Sequence, residues 1–585
     1  MKETKKETIY KILNSDFMSF VFSLISFIAL HNQDILPSYN IISLFILIIF
    51  IMLYRKFCKF NKQYIGIVFI SLLFSFLLIL GDLSFKYIDS KNISIVLELI
   101  KFKSLFSLIG NFLLIYTVLN MIVPRICEVN ADSKINKKIN PKLIFCLCTI
   151  LIFISYLSYF LSLFPGTLSS DSIGELNRAI EGVITSDHHP VFHILFIRLS
   201  YLIGNSLFHI LTVVVATYSI LQMLVLSLLF SYSITFLYKK NINLKLLFGI
   251  LLFYMIIPIF GYYSVVMWKD VLFGAFALWL TIECYRMYEE RNKISIKTCI
   301  RFVIASLLTV FFRNNAIYMY FILIFFSLLF LKGNYKKLIV MFIIVIGTYY
   351  VVKGPIFNYF SIRKSASAEY IAIPMQQIGR MAYKDVIFTN EERNTINNLL
   401  DVNIMKEIYN PKAFDDIKFN ENYNSEYFDE NKFSYLKLWV KLVSKYPTIA
   451  IESYSISTLG YWYPNIIDRA YENTIIENDL GLKTKPQSSE LIQNYVSKMV
   501  DENIPIISLT WSIGTYLWVL ITCLYIMYKR RDLKSIYSYI PVLGVWFTIM
   551  IATPVYNETR YIFCLFTTLP FLLALPFISE SKNNK

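Results

Sequence analysis

The stretch 208–237, FHILTVVVATYSILQMLVLSLLFSYSITFL, runs its whole length without a charged side chain. A helix needs about 20 apolar residues to cross a hydrocarbon core of about 30 Å, so this stretch is a membrane span. Further apolar runs lie at 12–30, 40–54, 63–84, 104–124 and 143–164, and more follow Lys240. Over 585 residues, 56% are hydrophobic and only 16% charged. Soluble domains carry about a quarter charged residues. With a mean hydropathy of +0.55, a soluble enzyme, a disordered chain and a fibrous repeat are excluded. The expected fold is an all-α polytopic membrane protein of about fourteen transmembrane helices, with surface helices on the outer face.

Charge sets the expected orientation. The chain carries a net +16, but residues 354–505 hold 16 basic against 20 acidic side chains. The basic excess sits in short loops, among them YRKFCKFNK, YKKNINLK, EERNKISIK, KGNYKK and YKRRDLK. That is the positive-inside pattern, so nucleic acid is not an expected partner. Placing these loops inside requires 190–204, PVFHILFIRLSYLIG, to lie on the outer surface as an amphipathic helix. Both termini are then cytoplasmic in a cell membrane, and 354–505 is a mostly helical extracytoplasmic domain. The segments predicted are 1–142 (about four spans), 143–353 (a core with the outer loop 165–207), 354–505, and 506–585 (three spans). The eight cysteines lie in or beside apolar runs and form no disulfide framework.

Candidate chemistry concentrates in FPGTLSSDSIGELNRAIEGVITSDHHPVFHILFIR, 164–198. Ile173, Leu176, Ile180 and Val183 recur at helical spacing, which predicts a surface helix presenting Asp171 and Glu175 to water. Asp187-His188-His189-Pro190 follows, and His193 stands at i+4 from His189, a spacing that suits zinc. A second ligand pair of that spacing is missing. Three cations interrupt apolar sequence at expected outer helix ends: Lys269 beside Asp270, Arg313 beside Asn314, and Arg560 beside Glu558. A cation costs about 2.5–3.5 kcal/mol at the bilayer centre, which makes three at one surface informative. Two exposed-looking motifs in 354–505, Gln376-Gln377 and Tyr461-Trp462-Tyr463-Pro464, suit either an acceptor groove or packing. No GxxxxGK phosphate loop occurs.

A span ending in an acidic outer loop, two surface helices and a His-Pro motif resembles the GT-C superfamily of membrane glycosyltransferases. Protein mannosyltransferases and the aminoarabinose transferases of lipid A are members. The resemblance covers roughly 143–353 in topology. It implies Asp171 and Glu175 as catalytic carboxylates, with His188, His189, Lys269, Asp270, Arg313, Asn314, Glu558 and Arg560 binding the donor phosphate and substrate. The implied partners are a polyprenyl-phosphate-sugar donor, a cell-envelope glycan, lipid or protein acceptor, and membrane lipids. The motif is Asp171-Ser172 rather than two adjacent acids, so no cofactor is certain and a divalent metal stays open. A transporter or flippase, or a polymerase or ligase of lipid-linked saccharides, is the alternative; Glu283, inside a span, is the feature that suits a transporter.

Overall fold

The computed structural model describes residues 10–33, 35–36, 41–61, 64–128, 139–363, 371–467, 474–502, 504, 507–553 and 555–578. The basic first residues, most of the 125–138 loop, Pro554 and the SKNNK tail lie outside the described residues. Among those described, the protein is all-helical, and extended pairing is limited to four isolated bridges. Six helical stretches are long and apolar enough to cross a membrane: Ile65–Lys86, Phe102–Glu128, Pro141–Ser162, Leu211–Lys239, Tyr335–Tyr359 and Thr559–Phe577. Their lipid-length runs and outward-facing Ile, Leu and Phe make this a membrane protein.

The chain divides into two compact units that cut across the linear segments. The first unit joins 1–129 to 367–466 and 552–557. Its helix Asp16–Asn32 packs on Phe102–Glu128. Gly110 permits this, because a Cβ there would stand 2.2 Å from that of Ala29. Ser26 donates to the Gly110 carbonyl at 2.7 Å and accepts from Tyr54 at 2.6 Å. The 371–466 part has its own core of Met375, Ile378, Met381, Leu399, Phe414 and Leu442.

Buried Glu452 pairs with Lys384 and accepts from the Ile95 backbone at 2.9 Å, tying that core to the N-terminal helices. Gln376, Gln377, Tyr461, Trp462 and Tyr463 are all buried, with Gln377 bonded to Trp439 and to the Ala450 carbonyl. They are packing rather than a groove lining.

The second unit joins 130–366 to 467–551 and 558–585. The expected 354–505 domain is thereby split: its 474–502 part bonds here, Ile476 to the Leu168 carbonyl and Lys485 to that of Phe164. At the centre is Lys269–Glu289, with 17 of its 21 residues buried. It packs against Ile296–Phe312, Phe563–Ala574 and Leu211–Lys239. Apolar on every side from Val271 to Leu280 and buried along nearly its whole length, it is a core helix.

Candidate functional site

The site lies within the second unit, at the N-terminal end of the central helix. The acidic helix Ser170–Glu181 starts in a capping box, with Ser169 and Ser172 serving each other's backbone N–H groups. Ser172 also donates to the Met267 carbonyl at 2.8 Å, and Trp268 donates to Ser169 at 3.0 Å. The first turn of the acidic helix is therefore fastened to the residues that lead into Lys269. Gly182 ends the helix at φ 74°, where a side chain would be strained, and turns the chain into the Asp187-His188-His189 loop.

Two carboxylates were expected to face water; one does. The buried stripe of the helix is Ser172, Glu175, Leu176 and Ala179, spaced i, i+3, i+4 and i+7. Asp171 sits beside it with a side chain 41% exposed. Glu175 belongs to the stripe and is 2% exposed, because a polar cage has been built around it.

That cage fixes its own protons. Gln222 donates its amide to the carbonyls of Tyr263, Ser264 and Val266, at 3.1, 3.1 and 2.7 Å. Its oxygen is therefore turned to Tyr218, which donates to it at 2.8 Å. Tyr218 in turn accepts from His193 Nε2 at 2.8 Å. His193 Nδ1 abuts Glu175 Oε2, so one proton lies between ring and carboxylate. With both nitrogens engaged, His193 is not a zinc ligand. Among the described residues, no group of three or more His, Cys, Asp or Glu side chains is set to hold a metal.

The other Glu175 oxygen lies 3.3 Å from His189 Nδ1, and Lys269 Nζ lies 3.1 Å from the same nitrogen. Burial, and next the charge of Lys269, push the His189 pKa down to about 4, so the ring is neutral at pH 7. Burial raises the Asp171 carboxyl, but Lys269 and then Arg560 outweigh it and hold the group below the ordinary carboxylate range. Glu175 is likewise held low against burial, chiefly by His193.

Arg560 reaches Asp171 Oδ2 from its Nη1 at 3.3 Å, and its Nε stands 3.5 Å from Glu558. Its guanidinium lies over Trp268 and Tyr561, 5.0 and 5.2 Å from the ring centroids. Arg313 pairs with buried Asp270 at 3.3 Å and donates to the Tyr561 carbonyl. Asn314 donates to the Asp187 carbonyl at 2.7 Å. His188 is exposed and meets His189 edge to face. The residues singled out from sequence thus form one connected cluster.

Sequence reasoning missed Lys353, which donates to Asp187 and to Asn314, both at 2.8 Å. It obeys the rule that exposed the other cations, a lone charge ending an apolar run, and it lies in a π-turn, Val352–Ile356. Gln222 was missed as well; an amide inside a run of Leu and Val was its signal. In all, five carboxylates (Asp171, Glu175, Asp187, Asp270, Glu558) face four cations (Lys269, Arg313, Lys353, Arg560). A metal between Asp171 and Glu558 would find the Arg560 guanidinium already there.

Residues 181–585 match the model of a family of unknown function, DUF6020. The chain belongs to that family. The DUF6020 region takes in the His188-His189 loop, His193, all four cations and both helices that carry Tyr218, Gln222 and Asp270; Asp171 and Glu175 precede it. No curated protein and no solved structure matches this DUF6020 chain.

Proposed function

We propose that this protein is a GT-C-type glycosyltransferase of the cell membrane, moving a sugar from a polyprenyl-phosphate donor to a cell-envelope acceptor on the outer side. Fourteen helices then serve as spans: the six long ones and shorter apolar helices such as Leu244–Ile256, Ala316–Phe330, Ile513–Lys529 and Ile540–Ala552. Both termini are cytoplasmic in this reading, and 354–505 is extracytoplasmic.

The observation that carries it is a half-exposed carboxylate, Asp171, beside Arg560 and under the charge of Lys269, at the end of a buried helix. Asp171 is a base for an acceptor hydroxyl or amine. Arg560 and Lys269 are the charge that a leaving phosphate needs. The helix pair between Asn314 and Lys353 leaves an apolar groove of about 400 Å³ along Ile339, Phe342 and Ile343, which suits an isoprenoid chain.

The test is transfer of labelled sugar by membranes containing the wild-type chain or Asp171→Asn. Loss of product at equal protein level supports the assignment. Unimpaired transfer removes Asp171 from the mechanism, and movement of lipid-linked saccharide without a covalent product means a transporter.

A further inference from the structure

Each of the four cations has an acidic or ring-nitrogen partner, but they are held with very different firmness. Arg313 is enclosed by Asp270, the Tyr561 carbonyl and the faces of Phe273 and Tyr561. Lys353 has two bonds of 2.8 Å. Lys269 donates to a buried ring nitrogen. Arg560 has one 3.3 Å bond, to an Asp171 side chain that is 41% exposed. Its buried Nε makes no hydrogen bond, although Glu558 is 3.5 Å away. The cation is fixed by Trp268 and Tyr561, while its anion stands at the rim.

We infer that Asp171 is a displaceable resident anion: an entering phosphate ester takes Arg560 from Asp171 and so releases the carboxylate to act. This rests on the lipid-phosphate reading above and adds an order of events to it. The donor binds first, and the base is freed by that binding.

Electrostatics favours this order. A phosphate that enters without displacing Asp171 must share Arg560 with a carboxylate already bonded to it, whereas a displaced Asp171, 41% exposed, can turn to water. Exchange for Asp171 keeps the guanidinium paired. Losing Arg560 also removes one of the two main charges that hold Asp171 low, so the freed carboxylate is a stronger base. In the transfer step the acceptor O–H breaks and its proton goes to Asp171. The acceptor oxygen bonds to the anomeric carbon, and the bond from that carbon to the phosphate oxygen breaks. The electron pair stays on the phosphate, which leaves with one more negative charge beside Arg560 and Lys269. An idle Asp171 stays masked until a donor arrives.

The experiment is binding of undecaprenyl phosphate to the full-length protein in lipid nanodiscs, with undecaprenol and inorganic phosphate as parallel probes. Asp171→Asn and Asp171→Ser should each bind undecaprenyl phosphate about fivefold more tightly, the size of an exposed ion pair. Glu181→Gln, on the same helix and exposed, should bind like wild type, and Arg560→Gln should bind more weakly. If inorganic phosphate gains equally, the displacing group comes from water as well as lipid. If it does not, the lipid headgroup is the source; displacement is supported in both cases. Equal or weaker binding by both Asp171 variants overturns the inference, as does a gain with undecaprenol. Binding needs no transfer, so tightening without sugar transfer would sink the transferase reading alone, and active transfer without tightening would sink the displacement alone.

Discussion

The helix Lys269–Glu289 carries a charged cluster at each end, and the two are built on opposite plans. At the C-terminal end, Glu283 is completely buried. It takes ion pairs from Arg286 and Arg301 at 3.2 and 3.3 Å, and hydrogen bonds from Tyr232 and Trp279 at 2.7 and 3.2 Å. Arg286 also donates to the Tyr232 hydroxyl, and Arg301 to Thr298. At the N-terminal end, Asp171 is half in water and held by one long bond. One carboxylate is pinned between two guanidiniums, a hydroxyl and an indole, and the other meets a single guanidinium. Several partners suit a fastening, whereas a single long bond at the rim suits a group that must change its partner.

The sharpest way to break this comparison is to remove each carboxylate and measure two things. Asp171→Asn should lower sugar transfer about 10²–10⁴-fold, the range for a lost general base, with little change in melting temperature. Glu283→Ala should do the reverse. It strands two guanidiniums and should destabilise the fold by about 3–5 kcal/mol, read as a lower midpoint of thermal unfolding in micelles. A stable but inactive Glu283 variant would mean that both ends carry chemistry.

A pH series sharpens the comparison further. The folded pKa of His189, about 4, lies below the ordinary value of about 6.5. As pH falls through 6.5 the unfolded chain gains a proton first, so stability is full above that value. It declines down to about pH 4 and loses nothing more from this residue below it. The loss is at most about 3 kcal/mol. His189→Gln should flatten unfolding midpoints between pH 6.5 and 4; an unchanged slope would assign the dependence elsewhere. Smallest of all is Lys240→Ala. It removes a partly exposed contact to Glu289 in the last turn of the central helix and should cost less than about 1 kcal/mol. A larger loss would show that exposed pairs at this end share in the fastening.

How much of this was written legibly in the chain depends on the kind of signal. Long apolar runs announce themselves, and so does a lone charge inside one, which is why Lys269, Arg313 and Arg560 stood out. Lys353 has the same mark but directly precedes Gly354-Pro355, where composition turns polar and hides it. An apolar stripe drawn through Ile173 and Ile180 puts Glu175 on the wet face. The true stripe contains a serine and a glutamate, so hydrophobicity has nothing to register there. Partnership is less visible still: Asp171 and Arg560 are 389 positions apart. Glu452 and Ile95, 357 apart, join segments that composition had assigned to different domains. Single polar contacts of that range leave no period or spacing to find.

Gln222 has a consequence for which changes of length the protein tolerates. Its amide is bolted to three carbonyls between Tyr263 and Val266, just ahead of Trp268 and the central helix. Adding one residue between that anchor and Lys269 would swing the helix entry by about 100°. Lys269 would leave His189, and Asp270 would leave Arg313. In members of the family, insertions and deletions in this short connector should be absent.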